Sequence, residues 1–365
     1  VVLPLGAFGA VPDALLTMRL NFKTRARAEA TASLCSGIVA IVLALRGFGV
    51  WSLAWQGIVS IGLRGMLLWA CSGWRPRGSY RAASFRSLFG FGGYMLLSGL
   101  LSTVAVRLQS LMIGKLFDPS ALGFYTLAQS TQSAPASFMG QVLSRVGLPV
   151  FSTIAHDRER LVVALRSSLR MAMFLFVPCM VGIAVVAQPL IELLYGARWV
   201  TAAPILSVLA LGAALWPVHV LNLAAVSAQG RSDLFFRLEV IKQIANIALV
   251  LAFASWGPLA IAWSTLLAGL FSAGLNTHYS ERLLDYGWLA QLADQWPTLA
   301  LSVVAALVGW AVLHWNKAGP IAMLAAIMVS AVTYLLLAIL TKNEALRELR
   351  SVVRTLRAEQ PNVGL

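Results

Sequence analysis

Charge is what this chain has least of. Asp, Glu, Lys and Arg together supply 12% of its 365 residues, about half the share usual in a soluble domain. Cysteine is limited to Cys35, Cys71 and Cys179, each within or beside an apolar stretch. That placement excludes a loop-borne disulfide framework and points to no metal site. His156, His219, His278 and His314 are mutually isolated, which argues further against a metal cluster or any cofactor held by one. Strand-period alternation is missing, which argues against a β-barrel. GxSxG, HExxH, DxD and Walker patterns are also missing, so the chain does not read as an enzyme. Gly90, Gly92 and Gly93 open an apolar stretch and read as packing glycines rather than a phosphate loop.

What is present is hydrocarbon. Hydrophobic residues make up 59% of the chain, and the mean hydropathy is +0.79. Apolar runs of about 18–25 residues recur, long enough as helices to cross a hydrocarbon core of about 30 Å. Eleven spans are expected, near 1–17, 29–45, 50–72, 89–113, 120–148, 171–190, 203–228, 240–254, 258–279, 297–314 and 320–340. The predicted class is an all-α, multi-pass membrane protein.

The few charges are unequally distributed. Lys and Arg number 28 against 14 Asp and Glu, a balance that in a soluble protein would suggest nucleic acid. Here 22 of the 28 fall in every second gap between spans: 18–28, 73–88, 145–170, 229–243, 280–296 and 341–365. Such alternation marks the cytoplasmic loops and accounts for the basicity by topology and anionic headgroups, without nucleic acid. The opposite gaps hold only Arg46, Lys115, Arg198 and Lys317, and none is long enough for a domain. Trp51 with Trp74, and Trp296 with Trp315, bracket two spans as interfacial anchors. The tail from Thr341 repeats Leu346, Leu349, Val352, Val353 and Leu356 among charges, which predicts an amphipathic helix on the inner leaflet.

Two regions repeat. Arg19–Trp55 and Arg231–Trp263 each open on a basic segment with a Glu (Glu29, Glu239), cross once, turn at a Gly, and re-enter through Gly-x5-Trp (Gly49–Trp55, Gly257–Trp263). Both run in the same direction, as a parallel duplication of a helical bundle predicts.

Three segments carry a resemblance. IGKLFDPSALGFYTLAQ (Ile113–Gln129), VGLPVFSTIAHDRERL (Val146–Leu161) and PLIELLYGARWVTAAPILSVLAL (Pro189–Leu211) occur in that order. They resemble signature stretches of lipid-linked polysaccharide flippases, the polysaccharide-transporter branch of the multidrug/oligosaccharidyl-lipid/polysaccharide exporter superfamily. The resemblance implies a two-lobed transporter bundle, usually of fourteen spans, so the chain reads as lacking the first three. It implies a partial N-terminal lobe over 1–72, a linker over 73–88, a six-helix lobe over 89–279, two further spans over 280–340 and a cytoplasmic tail over 341–365. It also implies movement of undecaprenyl-diphosphate-linked oligosaccharide from the inner to the outer leaflet of a bacterial inner membrane by alternating access, beside a polymerase and export machinery. The alternatives are a drug or cation antiporter of the same superfamily and a membrane glycan polymerase or ligase. Intramembrane Arg in place of carboxylate disfavours the first, and the short outer loops disfavour the second.

Such cargo needs a wet, cationic, hydrogen-bonding path. Arg107 lies well inside its span, where a charge is costly unless it faces a cavity or partner, and guanidinium fits phosphate. Arg64 is nearer the cytoplasmic end, where snorkelling accounts for it. Gln129 and Gln132 share a helical face with Tyr125 and suit sugar hydroxyls. Asn222, His219 and Asn246 are weaker candidates of the same kind. At Gln109 the resembling family often carries an acid, which puts ion coupling through that position in doubt. Pro135, Pro178, Pro204 and Pro217 are placed to bend spans.

Overall fold

The computed structural model describes residues 2–18, 22–73, 82–229, 232–315 and 319–358. Arg19, Trp74, Arg75, Arg77, Arg81, Arg231 and Lys317 lie outside these. Every regular element among the described residues is helical, and the chain divides into two compact units, Val1–Ala82 and Ala83–Leu365.

The first unit holds α1 (Val2–Met18), α2 (Phe22–Leu45) and α3 (Trp51–Ser72). α3 packs against both others. Glycine makes the α1–α3 approach possible: a Cβ on Gly9 would stand 3.2 Å from the Gly65 Cα, tighter than backbone ordinarily tolerates.

The second unit runs α4 (Ala82–Leu116), α5 (Pro119–Thr153), α6 (Arg158–Val185), α7 (Ala187–Tyr195), a 3-10 turn (Ala197–Ala202), α8 (Ala203–Ala213), α9 (Trp216–Ala228), α10 (Ser232–Phe253), α11 (Pro258–Leu284), α12 (Trp288–Trp315), α13 (Pro320–Leu340) and α14 (Glu344–Ala358). α5 packs on α8 and α9, α10 on α11, and α12 on α13 and α6. Asp118 starts α5 by accepting a hydrogen bond from the Ala121 N–H, with Pro119 in the first turn. Gly257, at φ 104°, and Pro258 start α11; that backbone region favours glycine.

Eight helices among the described residues are long and apolar enough to cross a membrane. The other expected spans fall on α1, only 17 residues long, and on α4 and α5, of 35 residues each; the apolar sequence of α5 is interrupted by the polar run Gln129–Ser133. Outward faces carry large apolar side chains such as Leu289, Ile321 and Leu340, as a lipid-facing shell requires.

One expectation needs correction and another is refined. Several of the basic gaps are largely helix: α2 begins at Phe22, α10 at Ser232, and only residues 154–157 separate α5 from α6. Hydropathy reports where a helix leaves hydrocarbon, not where its hydrogen bonds end. The span expected over 203–228 lies within one apolar stretch, Ala197–Ala228. Its helix is interrupted by a turn at Ala214 and Leu215 between α8 and α9, just before Pro217, which has no N–H to continue the ladder.

The tail is helical, but its first turns dock on protein. Ala345 is buried in a cluster with Phe174 of α6, Leu301 and Ala305 of α12, and Tyr334 and Ala338 of α13, and Leu346 packs against it. Arg170 of α6 pairs with Glu344 and Glu348 of α14, and Ser167 Oγ donates to Glu348 at 2.8 Å. The same Arg170 reaches Asp294 of α12 at 2.6 Å. Arg166 holds that carboxylate through two contacts of 2.6 Å, and the Tyr286 hydroxyl donates to it at 2.7 Å. Burial and the Asp294 carboxylate push the Tyr286 pKa up, so this hydroxyl keeps its proton and donates. One carboxylate thereby ties α6, α12 and the α11–α12 connection together.

Candidate functional site

The second unit contains a cleft of about 450 Å³ walled by α5, α8, α9, α10 and α11. Two strips of its wall are polar. From α5 come Gln129, Gln132, Ser133 and Ser137; from α10 come Glu239, Lys242, Gln243 and Asn246. The α10 residues recur at i, i+3, i+4 and i+7, which brings them onto one face of the helix. His219 of α9 with Thr265 and Ser272 of α11 complete the polar lining, and Leu209, Trp216 and Leu266 supply apolar surface.

The charged part of the wall is one linked group. Lys242 Nζ donates to Glu239 Oε1, and the His219 Nε2 stands 3.9 Å from the same oxygen. On its other side the His219 Nδ1 lies 2.9 Å from Asn276 Nδ2, which also donates to the His219 carbonyl at 3.4 Å. With the amide donating to Nδ1, the neutral ring carries its proton on Nε2, on the Glu239 side. Lys242 is 3% exposed and Glu239 8%. An isolated charge buried so deeply would be prohibitive, whereas a hydrogen-bonded opposite pair is tolerated.

Sequence reasoning missed this pair for a specific reason. The interval 229–243 read as a cytoplasmic gap, so Lys242 was counted as a loop charge and Glu239 as a loop acid. Because α10 already runs from Ser232, both sit on a helix. Their spacing to Gln243 and Asn246 was the available signal. Asp13 of α1 was also missed, although it lies inside the span expected over 1–17. It pairs with Arg25 at 2.8 Å and with Arg64 at 3.2 Å, and Arg64 also meets Glu29 at 3.5 Å. Arg64 therefore ends in an interhelical ion network of the first unit rather than a snorkelling head.

The other candidates separate. Gln129 and Gln132 line the cleft, with His219 and Asn246. Tyr125, expected beside them, is buried in the core with Ile113, Ile191 and Leu206. Gln109 is buried and donates to Thr265 at 3.2 Å, backing the cleft wall. Arg107, two residues away on α4, is exposed and is not among the cleft residues. Asn222 is fully buried. It exchanges hydrogen bonds of 3.0 and 2.8 Å with Gln291 and accepts from Ser280 at 2.6 Å. Those contacts join α9, α11 and α12 and leave it no part in the cleft.

Comparison with known proteins locates this architecture. The profile of a family described as polysaccharide biosynthesis protein matches residues 1–204. The chain is 27% identical to the succinoglycan biosynthesis transport protein ExoT of Rhizobium meliloti (strain 1021), over 97% of this chain and 73% of that one. It is 23% identical to the teichuronic acid biosynthesis protein TuaB of Bacillus subtilis (strain 168), over 92% and 71%. Among solved structures it resembles the lipid II flippase MurJ in an inward closed conformation. The TM-score is 0.73 at 16% identity, covering 92% of this chain and 71% of the other. At that identity the likeness is one of fold.

Proposed function

Because the chain belongs to the polysaccharide biosynthesis protein family, we propose that it is a flippase that moves lipid-linked oligosaccharide across the membrane. The finer reading is an undecaprenyl-diphosphate carrier passing from the inner to the outer leaflet of a bacterial inner membrane by alternating access. The delivered units would then feed a polymerase and export machinery that builds capsule, exopolysaccharide or O-antigen. The observation that carries the reading is a cleft with two amide-rich strips and a buried cation, set in helices that otherwise present hydrocarbon. Sugar hydroxyls dragged through hydrocarbon would lose their hydrogen bonds at several kcal/mol each, roughly. Gln129, Gln132, Gln243 and Asn246 offer both donors and acceptors to replace them. Such transport requires no bond to be made or broken in the cargo. The relatives support the reading by name: one is a transport protein of polysaccharide synthesis, and the fold neighbour is a lipid II flippase.

Deleting the gene should leave lipid-linked repeat units on the inner leaflet and remove polymer from the cell surface. Normal surface polymer, in a strain with no second exporter, would overturn the proposal. Arg107 stands apart from the cleft but is exposed on α4, and a guanidinium within a span needs a polar surrounding. We assign it to the substrate path. Arg107→Ala is expected to lower flipping by about tenfold, the worth of one charge-assisted hydrogen bond, with unchanged amounts of membrane-inserted protein. Flipping at the unaltered rate would remove Arg107 from the path.

A further inference from the structure

The Glu239–Lys242 pair has a property that the flippase reading alone does not use: its cation is already satisfied. Lys242 spends its charge on the carboxylate three residues away on the same helix, so an anion entering the cleft must compete with Glu239 for it. If the anion wins, Glu239 is left buried without a counter-ion. Among the described residues, the groups facing that carboxylate in the cleft are Lys242 from its own helix and His219 from α9. The cleft walls contributed by α5, α8 and α11 carry amides, hydroxyls and apolar groups only. No second cation among these stands ready to replace Lys242, and a bare buried carboxylate resolves its position by protonation.

We propose that Glu239 and Lys242 form a partner-exchange site at which the diphosphate of the lipid carrier is taken up together with one proton. The inference rests on the flippase reading above. In the exchange, Lys242 keeps its three N–H bonds and turns its ammonium from the Glu239 carboxylate to a phosphate oxygen. One O–H bond forms on Glu239, with the proton drawn from the aqueous phase that fills the cleft. His219, its ring held by Asn276, presents Nε2–H toward the same oxygen and positions the carboxylate. No bond in the cargo breaks. Release of the diphosphate reverses each step: Lys242 returns to Glu239, and the proton leaves.

The test uses the purified full chain in lipid nanodiscs, with undecaprenyl diphosphate as probe and undecaprenol as the phosphate-free control. Proton uptake is followed with an indicator dye in weak buffer, and affinity is measured across pH. The unaltered chain should take up about one proton per diphosphate bound, and none with undecaprenol. Its affinity should weaken by about tenfold per pH unit as pH rises, wherever Glu239 is ionised when free and protonated when loaded, as linkage demands. Glu239→Gln frees Lys242 permanently, so that variant should bind the probe more tightly, without proton uptake and without pH dependence. His219→Gln should still take up the proton. Binding by the unaltered chain with no proton uptake overturns the exchange and leaves the flippase reading standing. Loss of uptake in His219→Gln but not in Glu239→Gln overturns the assignment of the proton to Glu239. Failure of the unaltered chain to bind the diphosphate overturns the exchange, and failure to flip a lipid-linked oligosaccharide in proteoliposomes overturns the flippase reading. Should Glu239→Gln fail to elute as a single helical species, the pH slope of the unaltered chain decides the matter.

Discussion

Replacing Lys242 by methionine is expected to lower stability by about 3–5 kcal/mol, the cost of removing one partner of a buried ion pair. The stem is nearly isosteric, so packing against α9 and α11 survives and the loss is electrostatic. Glu239, 8% exposed, would then either carry an unpaired charge or hold a proton in the empty state. The double variant Lys242→Met, Glu239→Gln should recover most of that stability, because two neutral groups of similar shape leave no buried charge. It should not recover transport, since the cleft would lack its cation. Thermal unfolding of the purified protein in detergent reads the first effect, and flipping of a lipid-linked oligosaccharide in proteoliposomes reads the second. A single variant as stable as the parent would mean that the pair is solvated, and the cleft geometry would have to be abandoned.

The second large effect belongs to Asp294. Its side chain is 5% exposed while accepting from Arg166, Arg170 and the Tyr286 hydroxyl. Asp294→Ala should cost about 2–4 kcal/mol, the range for a buried charge network that loses its acceptor. The figure is held down because Arg166 is half exposed and solvent takes over part of its partnership. Arg170 keeps Glu344 and Glu348, so α14 should stay docked while the start of α12 loosens. Hydrogen exchange should therefore accelerate over Trp288–Gln295 and the Tyr286 connection, with Glu344–Glu348 protected as before. Equal loosening of both segments would show that Asp294, and not Arg170, is the point on which α14 depends.

Much of this fold was legible because lipid imposes simple rules. A run such as Pro320–Leu340 can only be a helix in hydrocarbon, and Gly257-Pro258 can only start one. The two segments that repeat in sequence each fall on two successive helices joined at a glycine turn, α2–α3 and α10–α11. The site was legible only in part. Gln129 and Gln132 stood out because amides are rare within a span. Glu239 and Lys242 did not, because charge was used as the sign of a loop, and a buried ion pair looks identical to two loop charges in one dimension. Asn222 failed in the opposite sense. A lone amide in a span suggested a cavity, but its partners Ser280 and Gln291 lie 58 and 69 residues away, and only the folded chain shows that they satisfy it. Arg64 was misjudged likewise, since Asp13 is 51 residues distant.

The pairing on α10 also has an electrical meaning. A single elementary charge moved through the whole membrane potential gains or loses about 2.3 kcal/mol per 100 mV. Glu239 and Lys242 ride on one helix, three residues apart, and their charges cancel. Any displacement of α10 in the empty protein therefore carries almost no net charge from this pair through the field, and the potential exerts no force on it there. In the proposed exchange, Lys242 and a neutral Glu239 together with the diphosphate form an anionic body. Under that exchange, voltage would act on this site only when it is loaded, favouring the outward stroke with cargo wherever the cell interior is negative.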